Sequence, residues 1–197
     1  MKKIIIIIIA SLLFFSCGQV KQMKRFGECD IKYVSIDSVM LAGIPMSKNT
    51  MMDNLSLFKV KSILNSFMKG SAQLDFKIFL KAHNHNSSKA AINQMDWQLY
   101  LDDKKVLEGI NTGRIEIAGH DSALFHIDAR MDLVQTLRMD NLNSILDLTY
   151  SLLDVKKAGK NPSKPVHFKL LVRPSFKIGK TTYFYPRYLT VLKDLSR

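Results

Sequence analysis

The chain has little cysteine, little histidine, few acidic residues and no long apolar run past Phe15, and each shortage removes a class of protein. Cys17 and Cys29 are the only cysteines, so a disulfide-stapled scaffold is excluded, and Cys29 reads as a buried small hydrophobe. No later apolar stretch reaches the roughly 20 residues that a spanning helix needs. Serine, histidine and aspartate occur without a Gly-x-Ser-x-Gly elbow or any local nucleophile and base, so no catalytic residue and no cofactor are expected. Seventeen acidic residues against 29 lysines and arginines give a formal charge of +12, which favours anionic surfaces. No recognition helix or aromatic platform accompanies that charge, and nucleic acid is not an expected partner.

What is present begins with MKKIIIIIIASLLFFSC: a basic start at Lys2 and Lys3, an apolar stretch from Ile4 to Phe15, then Ser16 and Cys17. This has the pattern of a secretory signal over residues 1–16. Phe14-Phe15-Ser16-Cys17 resembles a bacterial lipobox, with Phe14 where leucine is commoner. The resemblance implies that Cys17 is acylated and becomes the mature N-terminus, with the domain held on a membrane by its acyl chains. Gly18 to Gln22 lack both a retention aspartate and an acidic export tract, which points to the outer membrane, facing the periplasm. Losing Lys2 and Lys3 leaves a net charge of about +10, which a membrane-held domain would present to anionic headgroups or envelope proteins.

Residues 17–27 read as a polar tether and 28–197 as one domain. Cys29 to Leu41 has the character of an opening strand, Pro45 to Asn54 of an irregular methionine-rich loop, and Leu55 to Met68 of a short helix. Period two then takes over. Leu74, Phe76, Ile78, Leu80 and Ala82 alternate with polar residues, as do Met95, Trp97, Leu99 and Leu101. Asp102 to Lys105 makes a hairpin turn, and Gly109 leaves room for a bulge or bend. Ile115 and Ile117, the turn Gly119-His120-Asp121, and Phe125, Ile127, Ala129 and Met131 predict another strand pair. Asp132 to Lys156 fits an amphipathic helix broken near Asn141 to Asn143 and ended by Gly159 to Pro162. Val166 to Val172 predicts a strand stopped by Pro174, and Phe176 to Tyr185 one more, stopped by Pro186. Short antiparallel strands with an inserted amphipathic helix make a mainly β fold, a β-sandwich.

Three clusters invite a chemical reading. His83 and His85 share a strand face, a spacing that can hold zinc or copper, but turn-forming Asn84, Asn86, Ser87 and Ser88 surround them and no acidic or cysteine ligand is near. The end of a strand is favoured over a metal site. Ile178-Gly179-Lys180-Thr181-Thr182 lacks the earlier glycine of a phosphate loop, Pro174 standing in its place, and reads as a hairpin turn. Arg173, Lys177, Lys180 and Arg187 form a basic cluster suited either to solvating a sheet edge or to contacting an anionic surface.

The strand Leu74 to Ala82, the pair Asn84 and Asn86, the strand Met95 to Leu101, the hairpin to Gly109, Ile115 to Ile117 and Leu124 to Leu133 together resemble group 2 late-embryogenesis-abundant proteins. These carry the water-stress and hypersensitive-response domain, in which an Asn-Pro-Asn element follows a strand; here His85 stands at the proline. The resemblance spans about Cys29 to Leu192. It implies an immunoglobulin-like or fibronectin-like sandwich, no catalytic residues, a structural role for Asn84 and Asn86, and a part in envelope maintenance or desiccation and stress protection. A second expectation is a carrier for a lipid or other hydrophobic ligand, with Leu55 to Met68 as a lid, because methionine adapts to irregular apolar partners.

Overall fold

The computed structural model describes residues 18–47, 56–101, 103–137, 148–149, 151–153, 167–178 and 180–194. The signal segment, Cys17, Leu55, Gly159 to Pro162 and Val166 lie outside them.

Two antiparallel sheets face each other, and the fold is a mainly β sandwich with short helices. One sheet has the order β2-β1-β3-β6, from β1 (Asp30–Leu41), β2 (Ile44–Pro45), β3 (Gln73–His83) and β6 (Ser122–Asp132). The other has the order β5-β4-β7-β8, from β4 (Ala90–Leu101), β5 (Lys104–Ile117), β7 (His167–Ile178) and β8 (Thr181–Phe184), with β9 (Leu189–Asp194) also paired to β7. The predicted alternation is what builds the core. Leu74, Phe76, Ile78, Leu80 and Ala82 of β3 are buried, as are Phe125, Ile127, Ala129 and Met131 of β6 and Met95, Trp97, Leu99 and Leu101 of β4. Each large aliphatic side chain so buried stabilises the fold by about 1.5–3 kcal/mol.

The register of β1 with β3 defines two ends of the sandwich. Asp30 pairs with His83, which pairs with Ser122, at what we call the near end; Leu41 pairs with Leu74, which pairs with Met131, at the far end.

Residues 18–27 are helical (α1), where a polar tether was expected. Met23 and Phe26 lie one helical turn apart and are both buried in the core, Phe26 against Phe125, so the segment packs on the near end. The polar residues between them had masked that spacing. Helix α2 (Leu57–Met68) matches the prediction, and it seats on the core through Ile63 and Phe67. Helix α3 (Leu133–Leu137) and helical residues 148–149 and 151–152 occupy the region expected to be a broken amphipathic helix, with Leu148, Leu152 and Leu153 buried.

Three further expectations are corrected. The segments around Ile117 and Ser122 do not pair: β5 belongs to one sheet and β6 to the other, and residues 118–121 carry the chain across. Gly109 is not a bulge. It pairs with Trp97, and a Cβ there would lie 2.6 Å from the indole, so glycine is what lets the ring lie across the neighbouring strand. The irregularities fall instead between Ile92 and Gln94, which pair with Ile115 and Thr112, and between Leu99 and Tyr100, which pair with Leu107 and Lys105. Pro174 does not end a strand, because β7 continues to Ile178. On the side away from β4, β7 pairs with β9 as far as Val172 and with β8 only from Ser175. The missing proline N–H therefore falls where the neighbour changes, and the Pro174 carbonyl still accepts from Tyr185 N at 2.8 Å.

Candidate functional site

At the near end, residues 84–89 carry the chain from β3 in one sheet to β4 in the other, and residues 118–121 bring it back. Asn84 sits between the two crossings, fully buried. Its Nδ2 donates to the Ser88 carbonyl at 3.0 Å and to the Ala118 carbonyl at 2.9 Å, one on each crossing. Its Oδ1 accepts from the Asn86 backbone N–H at 3.0 Å and from Asn86 Nδ2 at 3.2 Å. Two backbone bonds complete the lock, Asn84 N–H to the Asp121 carbonyl at 2.9 Å and His120 N–H to the Asn86 carbonyl at 3.0 Å. One carboxamide thus donates twice and accepts twice within a buried double crossing, whereas a carboxylate has no donor and a hydroxyl only one.

Gly119 belongs to the same lock, since a Cβ there would stand 2.1 Å from the Ser87 carbonyl oxygen. The motif pair marks this hub in the sequence. Its partners at Ser88 and Ala118 are backbone carbonyls, which carry no signature.

His83 and His85 do lie together, ring centroids 4.5 Å apart and edge to face. His83 Nδ1 is 3.0 Å from Ser122 Oγ, which ties β3 to the start of β6. Among the described residues no group of three or more His, Cys, Asp or Glu side chains converges on a point that could hold a metal ion. No helix among them is long and apolar enough to cross a membrane.

The basic cluster divides. Arg173 is committed to the outer face of β7, paired with Asp96 at 3.0 Å and stacked against the rings of Phe184 and Tyr188, 4.2 and 4.7 Å from their centroids. Lys177, Lys180 and Arg187 are exposed. Lys177 and Lys180 lie on the β7–β8 hairpin, which joins Ile178 to Thr181 at the near end, as the hairpin reading of Ile178 to Thr182 predicts. Arg187 borders a shallow cleft with Cys29, Asp30, Ile31 and Tyr188. Burial, with the charge of Glu28 adding to it, pushes the Cys29 thiol up to about 11, and the thiol donates to the Arg25 carbonyl. Cys29 is therefore a packed thiol that stays protonated at neutral pH.

The far end is held by one carboxylate. Asp132 accepts from Ser71 Oγ at 2.6 Å and from the N–H groups of Ala72, Val134 and Gln135, joining the start of β3 to the first turn of α3. Burial works against its ionisation, but the Ser71 hydroxyl and the three amides outweigh that and hold the carboxyl below its ordinary value.

No known family profile matches the chain, and no curated protein matches it in sequence. Two solved structures resemble it in outline. A crystal structure of a protein from Archaeoglobus fulgidus is 10% identical, with 82% of this chain and 93% of that one covered and a TM-score of 0.38. A solution structure described as a late embryogenesis abundant protein is 10% identical, with 95% and 87% covered and a TM-score of 0.35. At these values neither bears on activity, ligand or partner.

Proposed function

We propose that this chain is a membrane-anchored, non-catalytic lipoprotein, acylated at Cys17, whose late-embryogenesis-abundant-like sandwich serves envelope maintenance or protection during desiccation and related stress. Its anchor lies in the outer membrane and its domain faces the periplasm. One observation carries the reading. Gly18 is already helical and α1 is packed on the near end, so an acyl group on the preceding Cys17 would hold that end close against the bilayer. Lys177, Lys180 and Arg187 project at the same end, beside exposed Lys21 and Lys24, where anionic headgroups would be, each worth about 1 kcal/mol at such a surface. The Asn84 hub supports a structural rather than a chemical role, because every polar atom of its carboxamide is already used.

The test is metabolic labelling of the host with an alkyne fatty acid, followed by drying and rewetting of a deletion strain. Label on the protein that disappears in Cys17→Ala, with survival reduced by deletion and restored only by the acylated form, is the expected result. An unlabelled protein would end the anchor reading, and unchanged survival would end the protective one.

A further inference from the structure

Helix α2 carries apolar side chains on two opposite faces. Ile63 and Phe67 point into the sandwich. Phe58 and Met68 point the other way, 81% and 76% exposed, with Lys61 and Asn65 on the same strip at helical spacing. Core packing explains the first face and, among the described residues, leaves the second without a partner. The N-terminal end of the helix is poorly finished, since Ser56 makes no side-chain cap and the first turn has no acidic residue, whereas Gly70 at positive φ closes the C-terminal end.

The charge beside that strip selects the partner. Lys59, Lys61 and Lys69 lie on or next to the helix, and from Asn54 to Gln73 there is no acidic residue at all. Phenylalanine and methionine exposed among lysines, in a segment that carries no carboxylate of its own, complement a surface that is apolar beneath and negative above. We propose that α2 is a membrane-docking helix that seats Phe58 and Met68 in an anionic phospholipid bilayer while its lysines meet the headgroups.

The position of the helix adds a consequence. Helix α2 leads into β3 at the far end, and the twelve residues of β1 span roughly 40 Å between the far end and the near one. A chain held in one bilayer through Cys17 would therefore dock on a second bilayer facing it, a corollary that rests on the anchor reading although the docking itself does not.

The full-length lipidated chain, purified from its host envelope, is reconstituted into phosphatidylcholine vesicles and mixed with dye-labelled vesicles of equal parts phosphatidylglycerol and phosphatidylcholine. The wild type should capture the labelled vesicles. Phe58→Ser with Met68→Ser should weaken capture about tenfold or more, Lys61→Glu about fivefold with a matching sensitivity to salt, and Lys81→Glu, an exposed position on β3, should leave it unchanged. Equal thermal midpoints would show that the variants fold. Wild-type capture that is absent, or that survives the double substitution, overturns the proposal. Loss of a dimer in the double variant without loss of capture also overturns it, by assigning the strip to a second copy. If the chain leaves the phosphatidylcholine vesicles, the anchor reading fails alone, and flotation with the labelled vesicles still reports on α2.

Discussion

The two ends of this sandwich solve the same problem by different means. At both, the chain leaves one strand, turns, and must satisfy backbone groups that the sheets no longer pair. The near end does so with a buried amide, Asn84, whose bonds are all internal and neutral. The far end uses a partly exposed carboxylate, Asp132, and hangs beside it a helix, α2, that has no side-chain N-cap. The neutral hub is indifferent to pH and intolerant of substitution, whereas the charged clip is tolerant of substitution and sensitive to acid.

The sharpest way to break this contrast is at Asn84. Replacing it with alanine orphans the carbonyls of Ser88 and Ala118 and the amide of Asn86, so Asn84→Ala should cost about 3 kcal/mol and lower the thermal midpoint by about 10 °C. Asn84→Asp should cost as much or more at neutral pH, because it keeps the acceptor and turns the donor toward carbonyls into a buried negative charge. A loss below about 1 kcal/mol for both, read by urea unfolding, would remove Asn84 as the centre of the near end.

Gly119 probes the same lock from its other side. Gly119→Ala brings a methyl group against the Ser87 carbonyl oxygen, and the crossing must shift to admit it, at about 2 kcal/mol. Gly109→Ala meets an indole edge in place of backbone, and a ring can move, so about 1 kcal/mol is expected there. Reversal of that order would mean that the second crossing is less tightly held than its geometry requires.

Legibility in the sequence follows the same division. Strands β3 and β6, and β4 from Met95 onward, could be read because each buries one face there, which imposes a period of two. Strand β9 was missed because its buried contribution from the described side chains is Val191 with partly buried Leu189, too short an alternation to stand out after Pro186. Pro174 misled because the rule that proline stops a strand assumes a continuous neighbour, and here the neighbour changes. The Gly119 turn misled because a short polar connection looks the same whether it returns within a sheet or crosses between two. Asn84 and Asn86 were found through a family resemblance, yet their work depended on a crossing that only the fold creates. The basic cluster reads as one patch in the sequence, and only the fold, by pairing Arg173 with Asp96 and stacking it on Phe184 and Tyr188, takes that residue out of the free surface.

Asp132 sharpens the comparison most directly, although its effect is smaller. Its folded carboxyl lies below the ordinary value, so the stability it contributes is fully present above the unfolded pKa near 4 and is lost as the pH falls through the folded one. Asp132→Asn should cost about 1 kcal/mol at pH 7, the usual loss for a cap of this kind, and the gap to wild type should close below about pH 4. Urea midpoints taken from pH 7 down to pH 3 would trace that closure. For Asn84→Ala the gap should stay constant over the same range, because no proton enters or leaves the hub. Parallel curves for the two variants would show that the ends do not differ in kind. A converging curve for Asp132→Asn beside a flat one for Asn84→Ala is what a neutral lock at one end and a charged clip at the other require.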